Sequence, residues 1–80
     1  MIKTMIEERI NELIKRYESQ IYENRQKIKV KSETIVYRLK HNNNDNNHIK
    51  CFADDIEELR KENELLAIFI DSLKYAKEGN

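Results

Sequence analysis

Apolar residues in the second half of the chain fall at alternating steps of three and four: Ile49, Phe52, Ile56, Leu59, Leu66, Ile70 and Leu73, with one amide, Asn63, in the same row. This spacing is a heptad seam along an α-helix, and such a stripe leaves water only when another helix covers it. The first half carries a second row. Ile14, Ile21, Ile28 and Ile35 recur every seven residues, with Ile10, Tyr17, Asn24 and Lys31 at the companion spacing. Between residues 28 and 39, Val30, Thr34, Ile35, Val36 and Tyr37 would also suit a strand. The isoleucine repeat runs through that stretch unbroken, and a lone strand would have no pairing partner, so helix is the better reading.

The pattern therefore predicts an all-α chain with one domain over residues 1–80: a helix over about 5–40, an Asn-rich turn at 41–48 and a helix over about 49–78. The turn rests on Asn42 to Asn47, whose short polar side chains compete with their own backbone for hydrogen bonds. Thr4 with Glu7 reads as a capping box that starts the first helix near Met5, and Asp54 with Glu57 as a weaker cap-like pair in the second. Gly79 reads as a left-handed C-terminal cap.

The two seams match in one antiparallel register. It places Ile35 on Phe52, Ile28 on Leu59, Ile21 on Leu66 and Ile14 on Leu73, with Tyr17 on Ile70 in an alternate layer. The same register sets the core amides Asn24 and Asn63 against each other. A polar pair at a core position weakens a seam but penalises every slipped register, where the amides would be buried unpaired. On that basis Asn63→Leu is expected to raise stability while loosening register. Flanking charges agree at Lys27 with Glu62 and at Glu18 with Lys74. The fold expected is a coiled-coil-like two-helix hairpin.

A hairpin leaves apolar residues over. Ile2, Met5, Ile6 and Leu13 lie beside the first seam, and Leu65, Ile68 and Phe69 beside the second. The run from Leu65 to Ile70 is apolar around most of the helix, which implies burial on more than one side. Ile2, Ile6, Leu13, Leu65, Ile68 and Phe69 are thus the expected interface, covered by a second copy in a four-helix bundle or by another protein's helix. A smaller strip, Tyr22, Val30, Val36 and Tyr37, lies on the outer side of the first helix.

Composition sharpens this picture. Eighty residues with no Pro, one Gly and 38% charged side chains suit solvated helices and a core too thin to be self-sufficient. The opening residues alternate charged and apolar positions, unlike a signal peptide, and the longest apolar run is far short of the ~20 residues of a membrane span. One cysteine, Cys51, excludes an internal disulfide and fits a reducing compartment. A cytoplasmic protein without a membrane partner is expected.

Basic and acidic residues balance at 15 each, but unevenly along the chain. Arg25, Lys27, Lys29, Lys31, Arg38, Lys40 and Lys50 make the hairpin tip basic, and a phosphate backbone is one partner such a tip could track. The register, however, lays this half along Asp54, Asp55, Glu57, Glu58 and Glu62, so internal neutralisation is the simpler reading. A basic leucine zipper places its basic helix directly before the seam, whereas here an Asn-rich turn precedes it. His41, His48, Cys51 and Asp45 are metal-ligating types, yet they lack the paired spacing of a structural zinc site. Cys51 lacks a histidine–acid pair to activate it.

No cofactor, metal or catalytic residue is expected. The reading is a non-enzymatic protein–protein interaction module (adaptor, regulator or inhibitor) acting as a homodimer with an unidentified protein partner. The alternatives are a nucleic-acid-binding module using the basic tip, or a structural assembly piece.

Overall fold

The computed structural model describes residues 2–41 and 46–79, with side chains placed for 5–41 and 48–79. Two helices, α1 (Ile2–Lys40) and α2 (Asn46–Glu78), pack along one another as a helical hairpin. The molecule is a rod of 62 × 14 × 13 Å. At ~1.5 Å of rise per residue, that length is what a helix of about forty residues requires.

Both seams turn inward. Every member of the α2 row from Ile49 to Leu73 is buried or half-buried, as is every member of the α1 rows from Ile10 to Ile35. The buried apolar side chains are Ile10, Ile14, Ile56, Leu66 and Ile70. Ile10, Ile14 and Ile70 form one cluster with Tyr17, Ile21 and Leu73 packed against it. This is the open-end half of the register expected from the sequence.

At mid-rod the amides meet: Asn24 Nδ2 donates to Asn63 Oδ1 at 2.8 Å. Gln20 Nε2 donates in turn to Asn24 Oδ1 at 3.0 Å, one helical turn away. Asn24 is the most enclosed side chain among the described residues, 1% exposed.

Residues 28 to 39 are helical throughout. Thr34 fits the helix by donating its hydroxyl to the Val30 carbonyl at 2.9 Å, the usual back-bond of a β-branched hydroxyl residue. The helix ends differ from expectation. α1 starts at Ile2, so Thr4 lies inside it and cannot hold the non-helical backbone of a cap. α2 starts at Asn46, two turns before Asp54, so that pair caps nothing and the tail of the Asn run is helical. Asp45 and Asn42 to Asn44 lie outside the described residues.

His41 ends α1. Its amide reaches the Tyr37 carbonyl at 3.1 Å and its ring Nδ1 donates to the same oxygen at 2.8 Å. The ring stacks on Tyr37 at 4.1 Å between centroids. Gly79 closes α2 with its amide on the Tyr75 carbonyl at 2.9 Å. Its φ lies outside the left-handed region, so it is not the left-handed cap expected.

Candidate functional site

A two-helix rod has two lateral edges, and its apolar excess lies mainly on one of them. At the open end, Leu13, Tyr17, Phe69, Ser72 and Leu73 line a groove of about 290 Å³. The Tyr17 and Phe69 rings meet across it at 6.1 Å, tilted by 45°. Ile6 stands one heptad before Leu13, and Leu65 one heptad before Ser72, so both extend this edge.

These side chains are poorly covered. Leu65 is 54% exposed, Phe69 49% and Ile6 48%. Ile68, 58% exposed, stands a ~100° helical step around α2 from Phe69, at the rim of the edge and not within it. Met5 is exposed as well, while Leu13 is half-buried, and the side chain of Ile2 lies outside the described residues. Tyr22, Val30, Val36 and Tyr37 are all exposed on the outer side of α1.

Two heptads toward the tip, the same edge changes character. Lys27, Lys31, Asp55, Glu58, Leu59 and Glu62 line a second groove. Lys31 Nζ binds Asp55 Oδ2 at 3.1 Å across the helices. Among the described residues, Lys27 with Glu62 and Glu18 with Lys74 do not close to ion pairs. Exposed pairs of this kind are worth little because water competes for both partners.

The basic candidates do not gather on one face. Arg25 lines the opposite edge with Arg60, Lys27 lines the first edge, and Lys29, Lys40 and Lys50 are exposed at other angles. Lys31 and Arg38 turn inward over the Phe52 ring, at 5.2 and 5.6 Å from its centroid. The alkyl stems and cationic heads thereby cover an aromatic seam residue near the tip. In the sequence both residues read as part of the basic tip, and this clamp is missed; cations one heptad apart facing an aromatic residue were the available signal.

His41, His48 and Cys51 are exposed. Among the described residues no group of three or more His, Cys, Asp or Glu side chains is placed to hold one ion. No described helix is long and apolar enough to cross a membrane. No protein-family model, curated protein or solved structure matches the chain.

Proposed function

We propose that this protein is a non-enzymatic interaction module of the cytoplasm that works as a homodimer. Two hairpins associate through their open-end edges into a four-helix bundle, and the outer helix faces engage another protein, as an adaptor, regulator or inhibitor would. The observation that carries this reading is the row Ile6, Leu65 and Phe69, half exposed on one edge beside a groove that is itself apolar. Isolated surface apolar residues are ordinary, but a contiguous patch beside a thin core is a mark of association. Self-association through one such patch is the commonest way small helical proteins complete their cores.

Size-exclusion chromatography with light scattering tests it. The intact chain is expected at twice its 9.7 kDa mass. Leu65→Asp with Phe69→Asp should return it to the monomer mass with helical circular dichroism retained at high protein concentration. A wild-type chain that stays at 9.7 kDa into the millimolar range would refute the homodimer.

A further inference from the structure

The two grooves on the apolar edge are built from equivalent positions. Leu13, Tyr17, Phe69, Ser72 and Leu73 at the open end each stand two heptads from Lys27, Lys31, Asp55, Glu58 and Leu59 nearer the tip. They therefore face the same way, separated along the rod by about 21 Å. The edge is one continuous strip with an apolar segment followed by a charged one. In the charged segment the α1 wall is basic (Lys27, Lys31) and the α2 wall acidic (Asp55, Glu58, Glu62). Of these five side chains, Lys31 and Asp55 pair with each other, and Lys27, Glu58 and Glu62 form no ion pair among the described residues.

Taking the homodimer proposed above as its basis, we propose that the second copy lies alongside the first with both open ends together. The two-fold axis then runs parallel to the long axis of the hairpins, and α1 of each subunit packs on α2 of the other. This operator sets the basic α1 wall of one copy against the acidic α2 wall of the other, at the same height. It also sets the open-end groove of one copy against the same groove of the other, with Leu13 and Tyr17 on α1 level with Leu73 and Phe69 on the partner's α2. Charge complementarity and apolar contact are thus satisfied in one arrangement.

A two-fold axis across the rod does worse in either of its forms. With full overlap, it places the apolar segment against the other copy's charged segment. Slid so that only the apolar segments overlap, it leaves the charged strip in water and shortens the contact. Size favours the first arrangement too. The strip runs from Ile6 to the level of Lys31 and Asp55, roughly 40 Å along the rod, and the side-by-side arrangement contacts all of it, whereas the slid form contacts the open-end segment alone.

Double electron–electron resonance decides between the operators. A single nitroxide is placed at exposed Lys50 near the tip, as Lys50→Cys in a Cys51→Ser chain, and the mass of the labelled protein is measured in parallel. Side-by-side packing with open ends together predicts an inter-label distance of about 25–35 Å, from the bundle diagonal and the label arms. The crosswise operators put the tips at opposite ends, beyond about 45 Å. A dimer mass with the longer distance overturns this arrangement and leaves the homodimer standing. A monomer mass with no dipolar signal overturns both.

Discussion

Asn24 is buried to a degree that no other described side chain matches, and its polar atoms have to be accounted for one by one. Its oxygen accepts from Gln20 and its amide donates to Asn63, whereas Asn63 Nδ2 lies 3.5 Å from the Ile21 carbonyl, at the limit of a hydrogen bond. The pair is therefore unequal: Asn63 is half-buried, while Asn24 has no route to water. This reverses the expectation drawn from the sequence for Asn63→Leu. Removing the Asn63 oxygen strands the Asn24 amide, a cost of ~1–3 kcal/mol that leucine burial at a half-exposed position only partly offsets. Asn63→Leu alone is predicted to lower the thermal midpoint, and Asn24→Leu with Asn63→Leu to restore or raise it, measured by circular dichroism at fixed concentration. A single variant as stable as wild type would show that the amide pair does not matter to the fold.

Among elements, the seams contribute most of the stability and the β-branched stretch of α1 costs some of it. Ile14 lies in the buried open-end cluster, so Ile14→Ala should cost ~2–5 kcal/mol. Val30 and Val36 are exposed and only restrict their own rotamers in a helix. Each Val→Ala there should add about half a kcal/mol of helix stability and raise the thermal midpoint slightly, with no change in mass. A loss of stability in the double variant would mean that the strip with Tyr22 and Tyr37 is itself covered in solution. The hairpin and its register were legible in the sequence because a seven-residue period repeated over several turns leaves few alternatives. The helix ends were not, since Thr4 with Glu7 and Asp54 with Glu57 satisfy a cap pattern that also occurs inside helices. The apolar excess at Leu65 and Phe69 was legible as well. The inward turn of Lys31 and Arg38 over Phe52 was not, because sequence period marks which face a residue occupies and not where a long flexible side chain comes to rest.

As a whole molecule, the chain is a slender rod whose buried apolar side chains are few and whose buried cluster lies beside its half-exposed open-end edge. A long rod encloses little volume for its surface, so most of its seam residues stay half-buried. A second copy on the open-end edge would extend that cluster. Folding and association would then be linked by mass action, and the most direct test is the thermal midpoint as a function of protein concentration. The homodimer predicts a midpoint that climbs steadily over about a hundredfold increase in concentration, together with a two-state transition to unfolded monomer. A midpoint that stays constant across that range would contradict it, because the hairpin would then be stable with its apolar edge in water.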